Sequence, residues 1–587
     1  MRDLFKKQIH IPGGQKIETA LNRLTIGERA IFYIFAAILI GSSLMLFSYA
    51  NDAISVSVPV KGGSLSEGII GSPRFINPIL AISDADRDLS ALLFSGLLRP
   101  SPDGSLIPDL AESYLISDDG LTYTVILKKE LYFHDESPIT SDDIIFTVSK
   151  AQDPEIKSPR RAEWGGVTTE KIDDQTIKFH LPRPYYPFIE NLTLGIIPKN
   201  LWKDVSNEEF AYSLKNITPI GSGPFKIEDV KKSNEGIPTL YKLSSFEKYA
   251  GGAPFIENIY VKLYSSENEI IDAWKMGEID SLGGISPSKT ADILKNGGAM
   301  IHLNLPRIYG IFLNQNQFQI FTEKAVRNAL STAIDKNAIV QNILLGYGTA
   351  LDGPLPPDHL GMGVGSSSLS TSSPNLIDQA KKILEKAGWK INESSGIWEK
   401  TEKVKNQTTT KTLAFSLAAP NVPELKEAAK MVADAWKNLG VSVDLKFFEL
   451  SDLSQNVIRP RKYDALLFGQ VTGRNPDLFA FWHSSQRNDP GYNIALYANS
   501  KVDKLLNEAR QVKNQKDQQK IVDSIYNEIK NDIPAIFLYT PDYLYVLPEN
   551  LSGFSAESIA SPTERFTDIT NWYLQSEKIW EIFTPQN

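Results

Sequence analysis

The segment AIFYIFAAILIGSSLMLFSY, residues 30–49, contains twenty consecutive residues without a charge. As an α-helix it would span about 30 Å, the thickness of a bilayer's hydrocarbon core. Such a run can fold as a buried helix only inside a large core, and its place near the N-terminus disfavours that. Residues 1–50 carry six Lys/Arg and three acidic residues, all before the run. Basic flanks stay on the cytoplasmic side. Residues 1–29 are therefore expected in the cytoplasm, 30–50 in the membrane as a single-pass anchor, and the rest on the extracytoplasmic side, periplasmic or extracellular. A cleaved signal peptide is the rival reading, because Ser48-Tyr49-Ala50 fits a small-x-small cleavage pattern. The lengths of the leader and of the apolar run favour an uncleaved anchor. Residues 51–62 then read as a short tether.

The 587-residue chain exceeds what one hydrophobic core organises, so two or three domains are expected. After residue 50 the chain holds 55 basic and 67 acidic residues. An acidic body argues against nucleic acid as a partner. The chain has no cysteine. That removes disulfides, thiolate metal sites, a Cys nucleophile and a lipid-bearing cysteine.

Strand and helix signals alternate along the body, which indicates an α/β fold. LTYTVILK (121–128) and VSVDLKFF (441–448) alternate like strands. KEAAKMVADAWKNLG (426–440) places Ala429, Val432, Trp436 and Leu439 on one helical face, with Gly440 as a stop. Residues 322–346 read as two successive helices, the second capped by Asp335. Residues 361–374 read as a Gly/Ser-rich loop, and 400–412 as a polar hairpin turn. No internal repeat is visible.

LYFHDESPITSDDIIFTVSK (131–150) gathers His134, Asp135, Glu136, Asp142 and Asp143, and so raises the question of a metal or acid/base site. The local pattern accounts for these residues structurally. Residues 131–133 end a strand, HDES with Pro138 makes a turn, and Thr140 stands three residues before Asp143 in a capping-box-like helix start. Asp142 and Asp143 then sit where a helix dipole favours negative charge. His134 lacks a second His at metal-ligand spacing. The six histidines are scattered, and no G-x-S-x-G, H-E-x-x-H or G-x-x-x-x-G-K-[ST] occurs. No catalytic residue, metal ligand or cofactor is assigned.

The same stretch carries a likeness. FHDESPITSDDIIF resembles the F-H-D-G-x-P-x-T-A-x-D-V-x-F signature of the family 5 extracellular solute-binding proteins, the peptide and nickel receptors of ABC importers. IPDLAESYLISDDGLTYTVIL (107–127), PIGSGPFKI (219–227), FLNQNQ with FTEKAVRNALSTAIDKNAIV (312–340), GPLPP (353–357), AKKILEKAGW (380–389) and SKVDKLLNEAR (500–510) are similar to further family motifs, in the same order. The likeness covers about 500 residues.

The resemblance implies a two-lobed periplasmic-binding-protein-like fold, type II, in its large three-segment form. Lobe I with an inserted subdomain would occupy 63–305, lobe II 306–540, and a C-terminal return to lobe I 541–587. Crossovers are expected near 304–310 and 538–542. It further implies that the ligand, a peptide or another small solute, lies between two extended segments, and that ABC importer membrane subunits are partners. The segments match Ala81 to Asp86, with Ser83, Asp84 and Asp86 as candidate ligand-binding residues, and Leu467 to Arg474, with Phe468, Gln470, Thr472 and Arg474. Asn314 is a further candidate. Peptide receptors of this family place an Asp four residues before a Pro to meet the peptide's ammonium group. Here the Pro is Pro476 and Thr472 stands in that place. Asp84 or Asp86 is then the candidate substitute, and Arg474 could meet a carboxylate or phosphate bidentately. A membrane-tethered hydrolase and an extracellular ligand sensor without import are the alternatives to a transport receptor. The short N-terminal segment carries no signalling domain.

Overall fold

A computed structural model describes residues 24–356, 375–404, 407–474 and 477–583; the loop expected at 361–374 lies outside them. The chain divides into two compact units, residues 1–60 with 575–587, and residues 61–574. In the first unit the apolar run lies within the helix Ile26–Ile54. The helix starts at a capping box in which the Glu28 carboxylate accepts hydrogen bonds from the Thr25 amide and hydroxyl, both 2.8 Å. The residues that follow are not the loose tether expected. Ser55–Val60 pairs antiparallel with Gln575–Trp580, from Ser55 opposite Trp580 to Val60 opposite Gln575. Val56, Val58 and Val60 give this stretch strand propensity, and Pro59 is tolerated because both strands of a two-stranded ribbon are edges.

The second unit is organised by one long strand, Ala535–Leu547. Its C-terminal half pairs with Ala299–Asn304 and Ser281–Gly283. From there the sheet continues through Ser64–Ile70, Asn258–Tyr264, Pro238–Ser245 and Phe225–Lys232. Its N-terminal half pairs with Arg307–Leu313, and that sheet continues through Ala465–Val471, Ala414–Pro420 and Ser442–Phe448. The register changes over a few residues: Asn304 faces Asp542 in the first sheet and Tyr309 faces Tyr539 in the second. The two sheets carry separate hydrophobic cores, one around Leu65, Leu89, Tyr241 and Trp572, the other around Leu330, Leu417, Trp436 and Leu467. The molecule is a two-lobed α/β protein.

Local expectations translate into these elements with few changes. Helix Pro423–Leu439 buries Leu425, Ala428, Ala429, Val432, Trp436 and Leu439 against the second sheet and ends at Gly440, whose φ of 99° is the left-handed cap. Helices Lys324–Thr332 and Lys336–Ile343 are separate, and Asp335 Oδ1 accepts the Ala338 amide at 2.9 Å. The polar stretch 400–412 is more regular than a turn, because Trp398–Val404 and Gln407–Thr412 form an antiparallel hairpin. Its alternating Thr and Lys residues suit an exposed ladder. Residues 131–133 make only an isolated bridge, Tyr132 to Pro138, instead of a full strand end. A separate antiparallel sheet, Ala111–Ile116, Thr122–Leu127, Thr176–His180 and Thr168–Lys171, stands on the first lobe.

The first lobe is tied to the C-terminal chain by a buried ionic cluster. Arg565, 2% exposed, donates to Glu67 Oε1 from Nε and Nη2 (3.2 and 3.0 Å) and to Asp88 from Nη1 and Nη2 (3.0 and 2.7 Å). Tyr545 adds a hydrogen bond to Glu67 at 2.8 Å. The cluster joins the strand Ser64–Ile70, the helix Asp84–Leu93 and the segment after the long strand. Removing one partner of a buried pair strands the other charge without solvent. Arg565→Met is expected to destabilise the protein by about 3–5 kcal/mol in denaturant unfolding, and a change near zero would contradict the cluster's structural role.

Candidate functional site

The lobes meet around Arg474, which follows the second-lobe strand Ala465–Val471. Its Nη1 donates to the Gly104 carbonyl at 2.6 Å. Its Nη2 lies 2.5 Å from Glu564 Oε2 and its Nε 3.6 Å from Glu190 Oε2. Gly104, Glu190 and Glu564 all belong to the first lobe, so one guanidinium bridges the interlobe gap. A second bridge stands nearby. Arg510 holds Asp477 bidentately (Nε to Oδ1 2.9 Å, Nη2 to Oδ2 2.6 Å), and Tyr185 of the first lobe donates to Asp477 at 3.2 Å. The Tyr186 amide donates to the Arg510 carbonyl at 3.0 Å, and Lys513 Nζ reaches the Ser117 and Asp118 carbonyls.

Beside the Arg474 bridge, a cavity of about 310 Å³ opens in the first lobe, lined among others by Ala81, Arg87, Ser90, Arg99, Arg160 and Glu564. Ser90 Oγ and Arg99 Nε are buried without hydrogen-bond partners among the described residues. Buried polar atoms left unspent are rare in protein interiors. A small polar solute is the chemistry such a wall accommodates. Among the described residues no group of three His, Asp or Glu side chains is placed to hold a metal ion.

The candidate residues divide into spent and available groups. Ser83 is the N-cap of helix Asp84–Leu93 and accepts the Asp86 amide at 3.1 Å. Asp86 is 2% exposed and accepts the amides of Arg74, Phe75, Ser83 and Ile82 at 2.7, 2.7, 3.1 and 3.4 Å. Its oxygens are consumed by backbone donors, so it cannot serve as the substitute acid expected for an ammonium group. Asn314 is likewise engaged by backbone groups: its Nδ2 donates to the Arg461 carbonyl and its Oδ1 accepts the Asn316 and Gln317 amides. Thr472 spends both its amide (2.8 Å) and its hydroxyl (3.1 Å) on the Pro306 carbonyl at the crossover between sheets. Phe468 packs, partly buried, against a further second-lobe cluster that includes Phe312, Leu466 and Trp482. Gln470 is 5% exposed with an unpartnered Oε1. Asp84 remains open, with Arg87 at 3.7 Å.

Glu190, Glu564, Asp477, Arg510 and Tyr185 escape the sequence reading. Their partners lie far along the chain, and although Arg510 ends the motif 500–510, nothing local marks its pairing with Asp477. His134 resolves as structure. The Gly221 amide donates to its Nδ1 at 3.2 Å, so Nε2 carries the proton and donates to the Gly223 carbonyl at 3.1 Å. Burial lowers its pKa to about 4. A Cβ at Gly221 or Gly223 would collide with the backbone of Leu93, so the glycines let this strand entry lie against the helix end. Asp143 accepts the Thr140 amide and hydroxyl at 3.0 and 3.2 Å, and Asp142 pairs with Lys171 at 2.7 Å.

A family model, the bacterial extracellular solute-binding proteins, family 5 middle, matches residues 105–493. The oligopeptide-binding protein AppA of Bacillus subtilis is 29% identical over 563 residues, covering 93% of this chain and 98% of that protein. Its solved structure, in complex with a nonapeptide, aligns at a TM-score of 0.66 and 28% identity over 88% of this chain and all of that one. The ABC transporter substrate-binding protein CtaP of Listeria monocytogenes aligns at 0.72 and 28% identity, covering 88% and 99%.

The Arg474 bridge carries a pH dependence. Burial pushes the Glu190 carboxyl up to about 7 against the pull of Arg474, with Glu564 adding to the rise. The closed arrangement therefore takes up a proton that an opened, solvated Glu190 releases. The contribution of Glu190 to this contact is fully present below the ordinary value of 4.5 and is lost as pH rises through about 7. Affinity for any solute held by closure is expected to fall several-fold between pH 5 and pH 7.5 and to be flat in Glu190→Gln. Calorimetry across that range checks it, and a wild-type affinity that rises with pH would contradict it.

Proposed function

The chain belongs to the bacterial extracellular solute-binding proteins of family 5, and from that premise we propose that it is a membrane-anchored receptor that captures peptides outside the cytoplasm and delivers them to an ABC importer. The interlobe bridge at Arg474 beside the first-lobe cavity carries the reading. A site assembled from two lobes on one shared strand opens and closes by hinge motion around a ligand. We assign lobe I to 63–305, lobe II to 306–540 and the return to lobe I to 541–574, with the shared strand and the crossover at 304–307 as the hinge. The likeness to AppA, whose solved complex holds a nonapeptide, supports peptides as the solute class. In such a site the peptide backbone adds between extended segments, so main-chain bonds give affinity and side-chain choice is loose. The relatives are binding proteins, which supports capture over hydrolysis. The apolar helix Ile26–Ile54 supports retention at the membrane.

At the place before Pro476 where the family resemblance implies an acid for a peptide's free N-terminus, this chain has none. Thr472 occupies that place, Asp86 is consumed by backbone amides, and Asp477 is consumed by Arg510 and Tyr185. Matched peptides with free and acetylated N-termini are expected to bind the full-length protein with similar affinity in calorimetry. A strong wild-type preference for the free amine would contradict this and direct attention to Asp84.

A further inference from the structure

The C-terminal strand presents an apolar group to the outside. Trp580, Ile582 and Phe583 are 45%, 79% and 68% exposed. Trp580 and Phe583 are stacked, with ring centroids 6.2 Å apart and planes 18° apart. Register fixes where this group stands: Trp580 faces Ser55, the first residue after the apolar helix, and its Nε1 donates to Asn51 Oδ1 at 2.7 Å. Residues 30–49 span about 30 Å of helix, and the first charge after them is Asp52. Asn51 thus lies within one turn beyond the hydrocarbon, and the indole bonded to it lies at the same depth.

We infer that Trp580, Ile582 and Phe583 insert into the outer membrane–water interface beside the exit of the helix, the inference resting on the anchor reading above. Tryptophan suits that depth because its ring is apolar and its N–H needs a polar partner. Here the partner is Asn51. Glu577, Lys578 and Glu581 interrupt the same segment, which fits an interfacial position and opposes deep insertion. A bilayer is favoured over a second copy or another protein because the patch continues the exposed apolar surface of the helix, with Met45, Phe47 and Tyr49 75–79% exposed.

The natural lack of cysteine permits a direct test. Full-length Leu39→Cys and Phe583→Cys variants are labelled with an environment-sensitive fluorophore and reconstituted in phosphatidylcholine–phosphatidylglycerol vesicles. Nitroxide lipids labelled at the headgroup or deep in the acyl chain serve as quenchers. The Leu39 probe is expected to be quenched by the deep label and the Phe583 probe, blue-shifted, by the headgroup label. Quenching at Leu39 with a water-exposed Phe583 probe would overturn the inference and leave the anchor standing. A Phe583 probe shielded from water yet unreached by lipid quencher would mean that protein covers the patch, which also overturns it. No quenching at Leu39 would overturn the anchor reading, and the inference with it.

Discussion

One strand, the thirteen residues Ala535–Leu547, is shared by both sheets and paired on both sides in each. Everything at the candidate site depends on it. Its pairing with Arg307–Leu313 holds the second lobe, and its pairing with Ala299–Asn304 and Ser281–Gly283 holds the first. Between them, Thr540 donates to the Leu305 carbonyl at 2.9 Å and Thr472 to that of Pro306. These two bonds fasten the crossover, where rotation between lobes would be concentrated. The chain then returns to the first lobe and is fixed there by Arg565 against Glu67 and Asp88. Glu564 is the next residue toward the cleft, so the buried cluster also positions the acid that Arg474 meets.

The cleft combines a fixed wall with a switchable contact. Asp86 organises the turn before helix Asp84–Leu93 through backbone donors, which makes the first-lobe wall rigid. Arg474 instead crosses a gap to two carboxylates, and one of these, Glu190, is held near neutrality by burial.

Local pattern carried much of the fold. The helix 423–439, the paired helices with Asp335 between them, and the Thr140–Asp143 helix start are visible because each signal lies within a few residues. His134 and the acids beside it were legible as structure for the same reason. The ribbon Ser55–Val60 with Gln575–Trp580 was not, since its two halves lie more than 500 residues apart and register is a tertiary fact. The site divides likewise. Thr472 and Arg474 stand out from the spacing to Pro476, whereas the bridge partners of Arg474 lie on distant segments. The backbone partners of Asp86 and Asn314 were not legible, because an acid or amide in a loop reads the same whether it faces ligand or backbone donors.

The central claim is that the two lobes close on a peptide. Native mass spectrometry of the full-length protein, released from nanodiscs after purification without denaturant, tests it most directly. A series of bound masses separated by amino-acid residue increments is expected, collapsing to one species when a single peptide is added in excess. A single bound mass that no peptide composition fits, retained against excess peptide, would contradict it.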